Sequence, residues 1–163
     1  MSVMEPPTKI VPVGEIFALR WAVLRTGLPR ETAVYPEDAQ EGTFHVAAYD
    51  DAGTVAGCVT FFPEPFPRET VFPGETVFPG EAAAPAYRFR GMASAPEVRG
   101  QGYGAAVLRA GLAEAAVRGA RLAWCNGRTS ARGFYEHQGF NATGEEFEIA
   151  PIGPHHVFVT KLG

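Results

Sequence analysis

Three glycines alternate within Arg99-Gly100-Gln101-Gly102-Tyr103-Gly104, and this run limits the fold more than any other stretch of the chain. The segment before it, Tyr87 to Ser94, reads as a strand. The segment after it, from about Gly102 to Arg118, reads as a helix, with Val107, Leu108, Leu112, Ala115 and Ala116 on one broad apolar face. Glycines free the backbone of side-chain bulk and open it to positive φ. Bare N–H groups at the start of a helix form an anion cradle, which the helix dipole reinforces. Arg99 adds positive charge at its edge. A strand, a glycine loop and a helix in this order predict a mixed α/β domain with a place for phosphate or pyrophosphate.

The rest of the chain fits around that unit. Residues 8–13 read as a short strand, and Gly14 to Leu24 as a helix with Ile16, Leu19, Val23 and Leu24 at helical spacing and Phe17 and Trp21 on a neighbouring stripe. Gly27 and Pro29 end it, and residues 28–42 are polar and turn-rich. Thr43–Tyr49, the turn Asp50-Asp51-Ala52-Gly53 and Thr54–Phe62 form a hairpin signal. Beyond the glycine loop, Arg121–Cys125 reads as a buried strand and Ser130–His137 as a short helix capped by Ser130 and stopped near Gly139. Phe140–Ile149 and His156–Leu162 close the chain as strands. The centre is thus a β-helix-β-helix-β run. Between hairpin and loop, residues 63–85 hold six prolines and a duplication, Glu69-Thr70-Val71-Phe72-Pro73-Gly74 followed at once by Glu75-Thr76-Val77-Phe78-Pro79-Gly80. Two copies make no solenoid. A loop this long is functional or disordered. Its Val-Phe pairs cover a cleft or a subunit interface, or the insert is merely tolerated; both readings stand at this point.

Composition excludes several classes. The 163 residues are 46% apolar and 20% charged, as expected for one globular domain. No apolar run approaches the ~18–20 residues of a membrane span, and the start, Met1 to Pro7, lacks the basic and apolar regions of a signal peptide. The net charge is −4. Residues 1–85 carry five basic and twelve acidic side chains, residues 86–163 nine and six. The acidic total argues against a general nucleic-acid binder, while the basic second half can still hold a small polyanion. Cys58 and Cys125 lie apart in apolar runs and read as buried free thiols, without the spacing of a redox or zinc site. A reducing cytoplasm fits them. Twelve of the 14 basic residues are arginine, which suggests a GC-rich bacterial genome.

Three phosphate-binding loops have to be separated. A P-loop needs Gly-Lys-Ser/Thr after its glycines, which is absent here. A dinucleotide fingerprint needs a third glycine where Ala105 stands and an acidic residue where Trp124-Cys125-Asn126 stands. Arg99-Gly100-Gln101-Gly102-Tyr103-Gly104 instead resembles, at every fixed position, the Arg/Gln-x-x-Gly-x-Gly/Ala loop of the GCN5-related N-acetyltransferase (GNAT) family. The entering strand Gly91-Met92-Ala93-Ser94-Ala95-Pro96 resembles the family strand that ends before a proline. Ala131-Arg132-Gly133-Phe134-Tyr135-Glu136-His137-Gln138-Gly139-Phe140 resembles the second family signature: alanine, tyrosine four residues on, then Gly-Phe. The resemblance is close over residues 86–140 and covers the whole chain by element order. The helix Arg20-Trp21-Ala22-Val23-Leu24-Arg25 and the closing His155-His156 strand also resemble a bacterial branch of the family.

The resemblance implies an α/β (α+β) fold with a mixed, mostly antiparallel sheet of about six to seven strands flanked by helices. It implies a single acetyltransferase domain over residues 1–163, with the Pro-rich loop inserted at about 63–85. It further implies direct transfer of acetyl from acetyl-CoA, as co-substrate and without metal, to an amine of a small molecule or a protein. Arg99, Gly100, Gln101, Gly102, Tyr103, Gly104 and Ala105 would hold the pyrophosphate, and Met92, Ala93 and Ser94 would pair with the pantetheine arm. An N–H of Met92 or Ala93 would polarise the thioester carbonyl, and Tyr135 would protonate the leaving thiolate. The family often has an asparagine seven residues before this tyrosine. Here Arg128 stands there and Asn126 two residues earlier, so that cofactor contact passes to Asn126 or to Arg128. The base candidates are His45, Glu146, His155 and His156. Many relatives place a glutamate on the strand before the loop, where this chain has Arg88 and Arg90. These arginines either recognise an anionic group on the acceptor or face solvent. The alternatives are a CoA-binding sensor or interaction module without catalysis, and a nucleotide binder using the same loop. Neither nucleic acid nor a membrane is an expected partner, and a homodimer is left open.

Overall fold

A computed structural model describes residues 5–67, 70–72, 75–77 and 85–162. The strands are β1 (Thr8–Val11), β2 (Phe44–Tyr49), β3 (Val55–Pro63), β4 (Thr70–Phe72), β5 (Glu75–Val77), β6 (Ala86–Ser94), β7 (Leu122–Arg128), β8 (Asn141–Ile149) and β9 (Gly153–Lys161). The helices are α1 (Val13–Leu24), α2 (Tyr103–Val117) and α3 (Arg132–His137). Seven strands form one mostly antiparallel sheet in the order β1-β2-β3-β6-β7-β9-β8. β6 and β7 run parallel, and α2 supplies the crossover that parallel neighbours need. The expected mixed sheet of six to seven strands is therefore present.

Four details depart from the sequence reading. The duplicated segment is not a structureless loop: the two copies pair antiparallel as β4 and β5, with Thr70 opposite Val77 and Phe72 opposite Glu75. The β-formers of each copy serve as the other's partner. The flanking residues 68, 69, 73, 74 and 78–84 lie outside the described residues. Ser130 does not cap α3, which starts at Arg132 after a 3-10 turn, Thr129–Ala131, with Ala131 at the cap and no side-chain capping bond. β7 runs past Cys125 to Arg128, so Asn126 lies within a strand rather than at its end. β9 begins at Gly153, three residues before the expected start.

The chain divides into two compact units. The first comprises Met1–Phe62 and Phe89–Glu114. Ile16, Ala47, Cys58 and Ala93 form a core there, with the apolar stripe of α1 packed against it through Leu19 and Val23. A second layer stacks Phe61 between Phe44 and Phe89, each ring centroid 5.1 Å away. Gly111 of α2 lies against Phe61 so closely that a Cβ there would stand 2.0 Å from the ring. A glycine is required at this point to let helix and sheet approach.

The second unit comprises Pro63–Arg88 and Ala115–Gly163. Its core gathers Phe66, Leu122, Trp124, Val157 and Val159, with Phe147 packed against it. The Trp124 indole N–H donates to the Glu64 carbonyl at 3.0 Å, so the large ring is buried without an orphan donor. β8 forms one end of the sheet, with Glu145, Glu146 and Glu148 exposed and its pairing to β9 interrupted between Thr143 and Phe147.

Candidate active site

The glycine loop leaves β6 through a backbone bond, Ala95 N–H to the Ala56 carbonyl at 2.8 Å, and a 3-10 turn over Pro96–Val98. Gly100 and Gly102 then adopt φ of +80° and +92°, conformations that disfavour any side chain. No heavy atom lies within 4 Å of where a Cβ would stand at either residue. Their N–H groups donate to no acceptor among the described residues. α2 begins directly after them at Tyr103, and its first N–H groups have no intrahelical partner by helix geometry. Arg99, Gly100, Gln101 and Gly102 are exposed, while Tyr103, Gly104 and Ala105 are half-buried. A Cβ at Gly104 would stand 3.6 Å from Ser94 Oγ, so the end of β6 lies beside the start of α2. The result is an open strip of backbone donors at a helix N-terminus, the arrangement that binds phosphate groups. On β6, Ala93 is buried and Met92 and Ser94 half-buried, and the parallel ladder to β7 ends at Arg88 and Trp124.

The first unit also holds a buried ionic network that the sequence reading did not anticipate. Arg20, on the inner face of α1, is fully buried. Its guanidinium grips Asp38 with two bonds, Nη1 to Oδ2 at 2.7 Å and Nη2 to Oδ1 at 3.0 Å. It also donates to the Ala33 carbonyl at 3.0 Å and to Thr60 Oγ1 at 2.6 Å. Thr60 Oγ1 also pairs with His45 Nδ1, 2.8 Å away. Burial pulls His45 below the ordinary histidine value, with Arg20 adding to the effect and Asp38 opposing it. Asp38 is raised by burial, but the Arg20 bonds and the Tyr35 N–H outweigh this and hold its carboxyl below the usual range. The Tyr35 ring carries three cations, Arg90 at 3.9 Å, Arg20 at 4.0 Å and Arg25 at 5.8 Å. Arg90 in turn donates to Glu37 Oε1 at 3.1 Å. His45 is thus held by the network, and Arg90 already has an anionic partner.

In the second unit, Tyr135 projects from α3 onto β9, its ring stacked on Phe158 at 4.7 Å with Phe140 edge-on at 5.7 Å. Gly127 makes room: a Cβ there would stand 2.6 Å from the Tyr135 ring. The Tyr135 hydroxyl bonds the Cys125 thiol, and burial, then the proximity of Cys125, push its pKa above the ordinary tyrosine value. Burial likewise pushes the Cys125 thiol up to about 12, as it does that of Cys58 in the first unit. Both cysteines are free and buried, as their apolar surroundings in sequence predict. Asn126 is half-buried on β7. The adjacent histidines take opposite faces of β9: His155 is buried and its Nδ1–H donates to the Gly153 carbonyl at 2.7 Å, while half-buried His156 pairs through Nδ1 with Thr129 Oγ1 at 2.9 Å. Arg88 pairs with Glu64 at 3.3 Å and lies over Trp124. Glu146 is exposed on β8. Among the described residues no group of three His, Cys, Asp or Glu side chains could hold a metal ion, and no helix is long and apolar enough to cross a membrane.

The residues missed in the sequence are Asp38, Thr60, Glu37 and Tyr35. The one available signal was Arg20, a charged residue inside an apolar helix stripe.

The Acetyltransferase (GNAT) family model matches residues 13–140. An uncharacterised N-acetyltransferase of Bacillus subtilis, YitI, is 32% identical over 154 residues, covering 94% of this chain and 95% of that protein. An acyl-CoA N-acyltransferase from Pseudomonas aeruginosa superposes with a TM-score of 0.68 at 15% identity, over 96% of this chain and 99% of the other. The GNAT family N-acetyltransferase YhbS of Escherichia coli, solved in complex with CoA, superposes with a TM-score of 0.67 at 20% identity, over 100% of this chain and 84% of the other.

Proposed function

Because the chain belongs to the GNAT acetyltransferase family and is an N-acetyltransferase, we propose that it takes acetyl from acetyl-CoA and passes it directly to a primary amine of a small molecule or a protein. The observation that carries this reading is the open strip at Gly100 and Gly102, where positive φ, unengaged N–H groups and a following helix coincide. A Cβ at either glycine would fill the space that a pyrophosphate needs.

Acetyl-CoA supplies an acyl group already activated as a thioester. The chain's own part is to hold and to move protons. Arg99, Gly100, Gln101, Gly102, Tyr103, Gly104 and Ala105 take the pyrophosphate through backbone donors. Met92, Ala93 and Ser94 extend their strand edge to the pantetheine arm, and a Met92 or Ala93 N–H stabilises the developing oxyanion. Asn126 adds a polar contact to the cofactor. Tyr135 gives its proton to the thiolate as the C–S bond breaks, and the proton that the amine sheds as the C–N bond forms restores it. Burial raises the Tyr135 pKa and so works against this step, while a thiolate is a stronger hydrogen-bond acceptor than the Cys125 thiol it now faces. Two free buried thiols suit a reducing compartment such as the bacterial cytoplasm.

Thermal unfolding with acetyl-CoA, beside ATP and NAD, tests the cofactor assignment, since a ligand of the folded state raises the melting temperature with the logarithm of concentration over Kd. A rise with acetyl-CoA alone is the expected result. No rise, or a larger one with ATP or NAD, overturns the assignment of the loop.

A further inference from the structure

Two adjacent carboxylates on the 3-10 turn Pro36–Ala39 meet different fates. Asp38 is saturated: both oxygens take Arg20, and Oδ2 also accepts the Tyr35 N–H at 3.0 Å. Glu37 is not. Its Oε1 accepts from Arg90, but its Oε2 is buried with no hydrogen-bond partner among the described residues. A buried carboxylate oxygen without a donor is costly, so a hydrogen-bond donor is expected to complete it. The surroundings hold Glu37 in place. Its carbonyl accepts from Thr43 Oγ1 at 2.7 Å and from the Gln40 N–H at 3.0 Å, and its partner Arg90 is braced on the Tyr35 ring. The pair nevertheless reaches the surface, with side-chain exposures of 17% for Glu37 and 33% for Arg90. The terminal torsion of a glutamate is broad, so the carboxylate can turn toward the exposed side of the pair, its two oxygens moving together.

We propose that Glu37 recognises the acceptor: its second carboxylate oxygen takes an N–H of the amine, which arrives as an ammonium and sheds one proton to water before it attacks, while Arg90 clamps the first. An ionised carboxylate only accepts hydrogen bonds, so the group that completes it is a donor, as an alkylammonium is and a carboxylate or phosphate is not. Arg90, the cation bonded to Glu37, is neutralised by that same carboxylate. The acceptor class is therefore a cationic primary amine. This inference rests on the reading of the chain as an amine acetyltransferase.

The experiment compares wild type, Glu37→Gln, Glu37→Asp and Glu64→Gln. The last removes the charge of the partner of Arg88 and serves as a control. Acetyl transfer is followed with an alkyl monoamine, an α,ω-diamine and the N-terminal amine of a short peptide. KM is taken separately for amine and for acetyl-CoA, and the acetyl-CoA-induced melting shift confirms that each variant folds and binds cofactor. The expected result is an amine KM raised about tenfold or more in Glu37→Gln, with acetyl-CoA KM within about twofold of wild type. Glu37→Asp, which keeps the charge but withdraws it by one methylene, falls between, and Glu64→Gln stays near wild type. An unchanged amine KM in Glu37→Gln overturns the inference while leaving the transferase reading intact. An equal loss of amine and acetyl-CoA binding also overturns it, because Glu37 would then be only structural. A wild type that binds acetyl-CoA yet acetylates none of the three amines overturns the amine reading and this inference with it.

Discussion

Replacing Asp38 by alanine strips the fully buried Arg20 of its counter-ion. Arg20 would keep the Ala33 carbonyl and Thr60 Oγ1, both neutral acceptors, but lose the two charge-assisted bonds at 2.7 and 3.0 Å. The Tyr35 N–H would lose its acceptor as well. Breaking a buried ion pair from one side costs about 3–5 kcal/mol, because the remaining charge stays desolvated and unpaired. For a domain of this size each kcal/mol lowers the melting temperature by about 2–4 °C, so the loss is on the order of 10 °C. The double variant Arg20→Met, Asp38→Ala discriminates the cause. It removes the stranded charge and fills the space with an unbranched apolar side chain, at the expense of leaving the Ala33 carbonyl and Thr60 without their donor, about 1–3 kcal/mol. The double variant is therefore more stable than Asp38→Ala alone. Urea and thermal unfolding of the wild type, both single variants and the double complete a cycle. If Asp38→Ala lies within about 1 kcal/mol of wild type, or the double variant is weaker than both singles, the ionic account of this network is wrong.

Four further outcomes follow from the same geometry. Gly111→Ala gains about 1 kcal/mol of helix propensity but drives a methyl into the Phe61 ring, which is confined on both sides; overpacking near the upper end of its usual ~1–3 kcal/mol leaves a net loss, and a rise in melting temperature would contradict it. His45 is held neutral by burial, so the unfolded chain takes up its proton first: stability is kept above its ordinary value of 6.5 and declines as pH falls below it, with a second decline below 3.8 as the depressed Asp38 is protonated; unfolding free energies that stay level between pH 7 and 5 refute the first step. Gly102→Asp and Gly102→Ala share the strain of a side chain at φ +92°, so a much larger loss of acetyl-CoA affinity in the aspartate variant, read by calorimetry, isolates repulsion of the pyrophosphate. Tyr135→Phe keeps the stack on Phe158 and removes only the hydroxyl, so turnover falls by about 10²–10⁴ with acetyl-CoA affinity nearly unchanged, and full activity removes Tyr135 from the mechanism.

The local elements were legible because each rests on short-range signals. The apolar stripe of α2, the hairpin turn at Asp50–Gly53 and the glycines at 100 and 102 carry their meaning within a few residues. The Arg20 network was not legible because its members are 18 and 40 residues apart, and no spacing rule joins a helix arginine to a turn aspartate and a strand threonine. Arg88 and Arg90 were visible as a pair on one strand, but their glutamate partners come from elsewhere in the chain, which alters what they offer a substrate. The family signature picked out Tyr135 but gave no sign that its hydroxyl engages Cys125. Ser130 looked like a helix cap by residue type alone; a 3-10 turn shifted the helix start by two residues and took that role away.

The outer strand β8 ends the sheet with a run of exposed carboxylates. A bare strand edge invites another chain to extend the sheet. A second copy pairing antiparallel about a two-fold axis near Glu146 would bring Glu145, Glu146 and Glu148 against the same three glutamates, at the place where the pairing of β8 to β9 is already irregular. Like charges facing one another across such a seam oppose it. Growth of the sheet past β8 in that register is thereby discouraged.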